Sequence, residues 1–481
     1  MLKSNLLPEW AAYIDGKWVT KGAGEAAVLN PANGDLLAQV PQLETSQVEE
    51  AIQAADRACR AGTDLATRKG WLLSLRDALL EHREELGRII TLEHGKPHPE
   101  AIVEVEYSAG FFDYYGYCID KLEPELLETQ SRGCAWTIHH RPAGVAASIT
   151  PWNFPLAMFA KKLAPALAAG CGVVARPSGE TPLTAIAVYT IADRIGLPPG
   201  QMNLAIGKAG PIGELFCAHP LVRVISCTSS TETGRILLRN AANHIKRLSL
   251  ELGGNAPFIV CDDADLEAAA DGFMANKFRG AGQTCVCSNR VYAHESISKE
   301  FLSLLADRIG KLRMGNGMAP GTDIGPLINR SAFDKVASHL SDALERGAVK
   351  VCGEEPVRPS ENWGAFFPPT LVSNATDEMK VFREETFGPL VAVAEFKSDE
   401  EVIERSNATE FGLAAYVYSG DKKRGNRIVD QLRFGHVGLN TGTGPTPEAP
   451  FGGFKQSGFG REGGLEGLFE FVEPQTVTTP R

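Results

Sequence analysis

The sequence predicts an α/β protein built on a doubly wound parallel sheet. From about residue 144 onward, short apolar segments alternate with helical ones. Such alternation is typical of parallel strands joined by crossover helices. The predicted strands are 145–149, 172–175, 222–226 and 256–260, and the predicted helices begin near residues 159, 182, 231 and 266. A chain of 481 residues is also too long for one simple core, so two or three domains are expected.

The N-terminal segments and a late glycine-rich segment complete the predicted elements. Asp15-Gly16 predicts a hairpin turn. The segment from Ser46 to Glu49 has the form of a capping box and predicts a helix that runs to about Gly62. A longer amphipathic helix is expected over about residues 67–93. Residues 442–464 are rich in glycine and proline, which predicts a long loop, and long loops in compact domains are often functional.

Charge and composition restrict the classes of function. The formal net charge is −11, which disfavours nucleic acids and anionic membranes as partners. No run approaches the roughly 20 apolar residues of a membrane span, and the first residues lack the apolar core of a secretory signal. The ten cysteines are scattered without the paired spacing of a zinc site, so no metal is expected. These features predict a cytoplasmic protein with reduced thiols.

Two short segments contain residues suited to acyl chemistry. Glu251 precedes Leu-Gly-Gly after an apolar run, and Cys285 lies in the segment Gly-Gln-Thr-Cys-Val-Cys. A thiolate is a good nucleophile toward a carbonyl carbon, and a carboxylate can act as a base. Each segment is weak evidence alone, because a glutamate before glycines is usually a turn residue and a single cysteine is usually a small buried hydrophobe.

Five motifs, in order along the chain, connect these segments to a known family. They are Thr-Pro-Trp-Asn-Phe-Pro at 150–155, Glu-Leu-Gly-Gly at 251–254, Gly-Gln-Thr-Cys at 282–285, Glu-Glu-Thr-Phe-Gly-Pro at 384–389 and Pro-Phe-Gly-Gly-Phe-Lys-Gln-Ser-Gly at 450–458. With these motifs the chain resembles the aldehyde dehydrogenase superfamily over essentially its whole length. Residues 277–287 look most like the succinate-semialdehyde dehydrogenase branch.

The resemblance implies oxidation of an aldehyde to an acid through a thioester. Cys285 attacks the aldehyde, and the Asn153 side-chain amide and the Cys285 backbone N–H stabilise the oxyanion. Hydride then passes to a nicotinamide cofactor. Glu251 is the expected base that activates water to hydrolyse the thioester, and Lys162 is expected to assist electrostatically.

The resemblance also implies a site for NADP or NAD. Strand ends that lead into helix N-termini favour phosphate groups. The expected cofactor-binding residues are Thr150, Trp152, Asn153, Arg176, Ser178, Gly179, Ser229, Ser230, Leu252, Glu385 and Phe387. Ser229 stands where the family usually has glycine, and an ordinary helix cap is the alternative for this Ser/Thr segment.

Position 179 bears on the choice between the two cofactors. Many NAD-preferring relatives have a glutamate there that binds the adenosine ribose, whereas this chain has Gly179, and Arg176 replaces the usual lysine. Arg176 and Ser178 supply donors suited to a 2′-phosphate. The sequence therefore predicts that NADP is used at least as well as NAD, with the alternative that Arg176 only caps the ribose.

The resemblance predicts an ω-carboxylated semialdehyde, such as succinate semialdehyde, as the substrate. Arg279 matches one of two arginines that bind the remote carboxylate in this branch. Lys161 occupies the position of the second arginine, and Thr446 lies where the branch has a serine. Lysine balances charge but lacks the bidentate fork of arginine. Glutarate semialdehyde, 2-oxoglutarate semialdehyde and a broad range of aldehydes therefore stay open, as does a structural ion pair for Arg279.

Three further alternatives concern the cysteines and the reaction. Cys287 lies two residues after Cys285, and the resemblance implies a reversible disulfide switch between them, with a packed thiol as the alternative. An acylating, CoA-dependent relative would lack the base, so Glu251 argues against that reaction. An inactive structural relative would have lost Cys285 or Glu251, and both are present.

By position, the resemblance divides the chain into four parts. Residues 1–122 and 142–252 form the dinucleotide-binding domain, 253–440 the catalytic domain, 123–141 and 466–481 a small β extension, and 441–465 an active-site loop region. The extension includes a C-terminal strand at 476–479 and implies self-association into a dimer or tetramer.

Overall fold

The computed structural model describes residues 1–128 and 133–481. The strands in this part of the chain are β1 (Ala12–Ile14), β2 (Lys17–Val19), β3 (Gly24–Leu29), β4 (Leu36–Gln42), β5 (Glu125–Leu126), β6 (Cys134–Pro142), β7 (Val145–Ile149), β8 (Gly172–Arg176), β9 (Met202–Leu204), β10 (Val222–Thr228), β11 (Arg247–Glu251), β12 (Ala256–Val260), β13 (Ser288–His294), β14 (Val349–Cys352), β15 (Thr370–Ser373), β16 (Leu390–Phe396), β17 (Ala414–Tyr418), β18 (His436–Leu439), β19 (Gly458–Phe459) and β20 (Val472–Pro480).

The helices of the same residues surround these strands. They are α1 (Thr45–Ala61), α2 (Leu65–Glu81), α3 (Arg83–His94), α4 (His98–Cys118), α5 (Ala157–Ala169), α6 (Leu183–Arg194), α7 (Ala209–Ala218), α8 (Thr231–Ala241), α9 (Leu266–Lys277), α10 (Ser298–Ile309), α11 (Arg330–Glu345), α12 (Lys380–Arg383), α13 (Asp399–Asn407), α14 (Lys422–Val429) and α15 (Gly464–Phe469). Short 3-10 turns occupy Ile119–Leu122, Arg279–Gly282 and Lys455–Ser457.

Two large sheets organise the molecule, and each has its own apolar core. The first has the order β19-β11-β10-β7-β8-β9-β1-β2 and is parallel from β11 to β9. The second has the order β14-β15-β16-β13-β12-β17-β18 and is parallel except between β14 and β15. The predicted α/β class is confirmed. The predicted strands 145–149 and 256–260 have the observed bounds, and the other two extend by one or two residues.

The N-terminal hairpin is confirmed, but the start of α1 is not where the sequence predicts it. Asp15 and Gly16 both have positive φ, as a two-residue hairpin turn requires. Helix α1 begins at Thr45, and Gln47 Oε1 accepts the Glu44 N–H at 2.9 Å. The predicted capping box at residues 46–49 is therefore wrong, because its residues lie inside the first turns of the helix.

The long helix predicted over residues 67–93 is two helices, α2 and α3, separated at His82. Both helices pack against α4. One straight helix over the predicted range would extend about 40 Å, longer than α4 itself, so the break at His82 keeps both segments on the core.

A third, antiparallel sheet joins β20, β6 and β5. Strand β20 pairs with β6 from Val472 opposite Pro142 to Pro480 opposite Cys134, so the predicted C-terminal strand is present and longer than expected. Residues 129–132 of the predicted extension lie outside the described residues. The predicted self-association stays a prediction. No helix among the described residues is long and apolar enough to cross a bilayer.

Candidate active site

Cys285 lies on a tight loop between α9 and β13, where two cavities meet. One cavity has a volume of about 470 Å³ and the other about 360 Å³, and Cys285 lines both. Gly282 has φ +75°, and a Cβ there would lie 2.4 Å from the Gly388 carbonyl oxygen. The loop therefore requires glycine at 282, which explains the Gly-Gln-Thr-Cys motif and fixes the direction from which Cys285 enters the cavities.

The thiol of Cys285 is held in its protonated form by its surroundings. Burial, the largest cause, together with the negative charges of Glu385 and Glu251, raises the pKa of Cys285 to about 12. The Lys161 ammonium opposes this shift and lowers the pKa. At neutral pH the thiol therefore needs a proton acceptor before it can act as a nucleophile.

Glu251 is a buried carboxylate at the end of β11. Its side chain is 3% exposed, and neither oxygen has a hydrogen-bond partner among the described residues. Burial and the charge of Glu462 raise its pKa well above the usual range. Strand β11 is fixed here by β19, where Gly458 has φ +112° and pairs with Glu251. The position of Glu251 thus depends on main-chain pairing rather than on side-chain contacts.

Glu462 is the main site residue that the sequence analysis misses. It is buried, and it forms an ion pair with Lys162, whose Nζ also donates to Thr228 Oγ1 at 2.5 Å. Its second oxygen lies 4.0 Å from Lys161 Nζ. Lys162 lines neither cavity, so it contacts the site through Glu462. The only signal in the sequence is that Glu462 belongs to the loop expected to be functional.

Asn153 is joined to the loop that carries Cys285. Its Nδ2 donates to the Gln283 carbonyl oxygen at 2.9 Å, while its Oδ1 has no partner in the described part of the chain. Gln283 is itself fixed, because its side chain donates to the Gly280 carbonyl and accepts from the Ile328 N–H. The predicted amide and the predicted nucleophile therefore lie on one rigid unit.

The cavity of about 360 Å³ is lined by most of the predicted cofactor residues. These are Trp152, Asn153, Ser229, Ser230, Leu252, Glu385 and Phe387. Thr150, Arg176, Ser178 and Gly179 do not line it. The sequence analysis misses the beginning of α11 and the turn before it, which supply Ile328, Asn329, Ser331, Ala332 and Lys335. These residues belong to no sequence motif, so only the folded structure shows that they line the cavity.

Glu385 and the aromatic residues form the end of this cavity next to Cys285. Glu385 Oε1 accepts the Gly254 N–H at 3.0 Å, and burial raises the pKa of this carboxyl to about 7. Phe387 lies edge-on to Trp152, with ring centroids 5.6 Å apart. Trp152 in turn stacks on His94 at 5.8 Å. The arrangement offers an acceptor oxygen and flat apolar faces beside the thiol.

The segments at 176–179 and 229–230 have different local structures. Arg176 Nη2 donates to the Gly207 carbonyl at 3.1 Å, and its Nε has no partner among the described residues. Gly179 is exposed, and a Cβ there would meet no atom within 4 Å. Ser230 caps α8 by accepting the Thr233 N–H at 3.3 Å. The helix-cap alternative for this segment is thus observed, at a helix N-terminus that faces the cavity.

The cavity of about 470 Å³ brings the three predicted substrate residues together. Lys161, Arg279 and Thr446 all line it, among mostly apolar side chains. Lys161 is buried, and its ammonium lies 4.6 Å from the Phe451 ring centroid. The exposed Arg279 lies 5.1 Å from the ring of Phe154, and no carboxylate among the described residues pairs with it. Two cations at different depths are therefore available to an anion.

Cys287 is a buried thiol behind Cys285. Its Sγ lies 3.6 Å from the Lys277 carbonyl oxygen, and both cysteines are free thiols. The packed-thiol alternative describes this geometry, and the disulfide switch stays a prediction.

The ionisation of Cys285 can be measured directly. Because its pKa is raised to about 12, its alkylation by iodoacetamide should accelerate about tenfold per pH unit between about pH 7 and 10. Lys161→Met should slow alkylation at every pH, and Arg279→Met, in the same cavity but exposed, serves as the control. Mass spectrometry of the Cys285 peptide gives the rate. A plateau below pH 9 would contradict the assignment.

Comparisons with known proteins agree with the geometry. The sequence profile of the Aldehyde dehydrogenase family matches residues 18–477. A 3-sulfolactaldehyde dehydrogenase of Pseudomonas putida is 45% identical over 99% of this chain and 98% of its own length. An NADP(+) succinate-semialdehyde dehydrogenase of Escherichia coli is 44% identical over 98% of this chain and 97% of its own length.

Solved structures give the same result. An oxidoreductase from Marinobacter aquaeolei has a TM-score of 0.97 and 53% identity, covering 99% of this chain and 100% of that chain. A succinate-semialdehyde dehydrogenase from Burkholderia pseudomallei has a TM-score of 0.97 and 40% identity, with both chains fully covered. The chain belongs to the aldehyde dehydrogenase family, as its five motifs predict.

Proposed function

We propose that this protein oxidises an anionic aldehyde to the acid with NADP or NAD, through a thioester on Cys285. The observation that carries the proposal is the position of Cys285 where two cavities meet. One cavity has two cations for a substrate anion, and the other has a helix N-terminus and the Glu385 carboxylate for a dinucleotide. A thiol at this junction can contact both ligands at once.

The residues around the second cavity fit a nicotinamide cofactor. The N-terminus of α8 offers backbone donors for phosphate groups, and Glu385 has one oxygen bound to Gly254 N and a second oxygen available for ribose hydroxyls. The edges and faces of Trp152 and Phe387 leave a flat apolar space for the ring. Such a cofactor accepts hydride from the carbon bound to sulfur.

The first chemical step requires removal of a proton from Cys285. Glu251 in its ionised form is the candidate base, because neither of its buried oxygens has a partner among the described residues and its charge acts on Cys285. The thiolate then attacks the carbonyl carbon, and its double bond opens to an oxyanion. The Asn153 amide and the Cys285 N–H stabilise that charge. Loss of hydride re-forms the carbonyl as a thioester.

Hydrolysis of the thioester uses the same carboxylate. After the first proton has passed from Glu251 to solvent, Glu251 accepts a proton from water and hydroxide adds to the acyl carbon. The tetrahedral intermediate collapses to the acid, and the Cys285 thiolate leaves and takes the proton back from Glu251. The presence of Glu251 argues against an acylating, CoA-dependent reaction, and an inactive relative would need neither Cys285 nor Glu251.

The two cations in the larger cavity favour an aldehyde with a remote anionic group. Lys161 is buried near Cys285, and Arg279 lies at the exposed end of the cavity. Both of the relatives described above act on aldehydes whose names denote an acid group. Succinate semialdehyde is the proposed substrate, with longer or oxo-bearing semialdehydes as the second candidates.

Substitutions of the two central residues should separate the two half-reactions. Cys285→Ala is expected to abolish dehydrogenase turnover while leaving cofactor binding intact. Glu251→Gln should allow a burst of reduced cofactor at about one equivalent or less, followed by little turnover, because the thioester accumulates. Absorbance of the reduced cofactor, with aldehyde and without CoA, gives both results. Normal turnover in either variant would require another nucleophile or base.

Substrate charge should matter more than chain length. A charge-assisted contact contributes about 1.5–3 kcal/mol, so succinate semialdehyde should exceed butyraldehyde in kcat/KM by about one to two decades. Arg279→Met should reduce this ratio and leave butyraldehyde unaffected, since butyraldehyde lacks the anion. Equal efficiency of the two aldehydes in the wild type would refute an anion site.

Cofactor choice should respond to a carboxylate at position 179. Gly179 has open space for a side chain, so Gly179→Glu is expected to fold normally and to repel the 2′-phosphate of NADP. The ratio of kcat/KM for NADP to that for NAD should fall about tenfold or more. Gly196 is also exposed and free of neighbours, but its φ of +77° makes it unsuitable as a control position. Gly179→Gln therefore serves as the control, because it adds a side chain of similar size without the charge. A wild type that strongly prefers NAD, with no shift in Gly179→Glu, would contradict the prediction.

A further inference from the structure

We propose that a buried ion pair between Lys96 and Glu104 positions the Asn153 amide for oxyanion stabilisation. The proposal rests on the proposed function, because it assigns a role to Lys96, which lies behind the reacting groups, and to Glu104, which lines the larger cavity. Lys96 is 2% exposed and Glu104 is 3% exposed, and neither residue belongs to any of the five motifs. Lys96 is a positioning residue here, since it contacts Asn153 but not the substrate.

Lys96 fixes the main chain at the residue that carries the amide. Its Nζ donates to the Asn153 carbonyl oxygen at 2.9 Å and to Glu104 Oε2 at 2.6 Å. The same ammonium lies 3.9 Å from the ring centroid of Phe154, the residue that follows Asn153 and lines the larger cavity. A single buried cation thus holds the peptide between the amide and the cavity wall.

Glu104 connects the same ion pair to the start of α5. Its Oε1 accepts the N–H groups of Leu156 and Ala157, at 2.9 and 3.1 Å, and so caps the helix that carries Lys161. The short segment from Asn153 to Ala157 is therefore held at both ends by one ion pair. Its orientation relative to α5, and hence to the larger cavity, is set by these four hydrogen bonds.

The ion pair between Lys96 and Glu104 satisfies backbone groups that apolar residues of the same size would leave without partners. Replacing a buried ion pair by well-packed apolar side chains is often neutral for stability, but such side chains would leave a carbonyl and two N–H groups unsatisfied. An oxyanion donor must be placed accurately, because a misplacement of about 1 Å can cost about a hundredfold in rate. The charge of Lys96 and the two oxygens of Glu104 are thus suited to holding a short loop in one geometry.

The test is a double-mutant cycle between Lys96 and Asn153 in single turnover. Enzyme saturated with cofactor is mixed with less than one equivalent of succinate semialdehyde, so that reduced cofactor reports acylation alone. Lys96→Met, which keeps the length of the side chain, should slow this step about tenfold to a hundredfold. In an Asn153→Ala background the same substitution should slow it less than about threefold, because the group it positions is gone. The KM for the cofactor should not change.

Two more variants separate positioning from general loss of structure. Glu104→Gln keeps an oxygen for the α5 cap but removes the charge facing Lys96, so it should slow acylation as Lys96→Met does. If Lys96→Met does not fold, Glu104→Gln takes its place in the double-mutant cycle. Glu93→Gln is the matched control, since Glu93 is also buried and caps α6 through Leu183 and Thr184. It should lower the melting temperature but leave the acylation rate unchanged.

The outcomes distinguish this proposal from the function on which it rests. Multiplicative effects of Lys96→Met and Asn153→Ala, or equal slowing by Glu93→Gln, would overturn the positioning role while leaving the dehydrogenase intact. Wild-type acylation with no effect of Lys96→Met would also overturn it. Absence of reduced cofactor in the wild type would instead contradict the proposed function.

Discussion

The removal of ionisable groups from water is the constraint on which the site depends. Burial raises the pKa of both Cys285 and Glu251, so each resting group favours its neutral form. Deeper charges are tolerated because they are paired, as Lys162 is with Glu462. Glu251 can accept the proton of Cys285 only in its ionised form, which the positive charges of Lys161 and Lys162 favour.

The sheet topology explains why these groups converge. Strand β10 ends at Thr228 and β11 at Glu251, at the same edge of a parallel sheet. Ligand-binding crevices form where parallel strands end and helix N-termini begin. The second sheet supplies Cys285 from the opposite side, on the loop before β13. Neither sheet alone forms a complete site, and both cavities exist because the two cores face each other across this edge.

The sequence could predict what is encoded locally, and tertiary packing decides the rest. The motifs identify Cys285 and Asn153 because their chemistry and spacing are recorded in short segments. Glu462 escapes prediction because it is buried by pairing with Phe451 and by contacts with Lys161 and Lys162, which are distant in the sequence. The break at His82 escapes for a similar reason, since no glycine or proline marks it in the sequence and both helices pack against α4. The residues of α11 in the smaller cavity follow no motif at all.

The pairing of β20 with β6 has a consequence for how the chain reaches its native state. The two strands are far apart in the sequence and match along nine residues, and β19 completes the edge of the first sheet next to β11. During synthesis the first half of the protein therefore emerges with one edge of its large sheet open and with β6 paired only to the short strand β5. Pairing over such sequence separation is slow, and exposed edges invite association with other chains. Until the last residues leave the ribosome, the first domain stays incomplete and its sheet edges stay open to other chains.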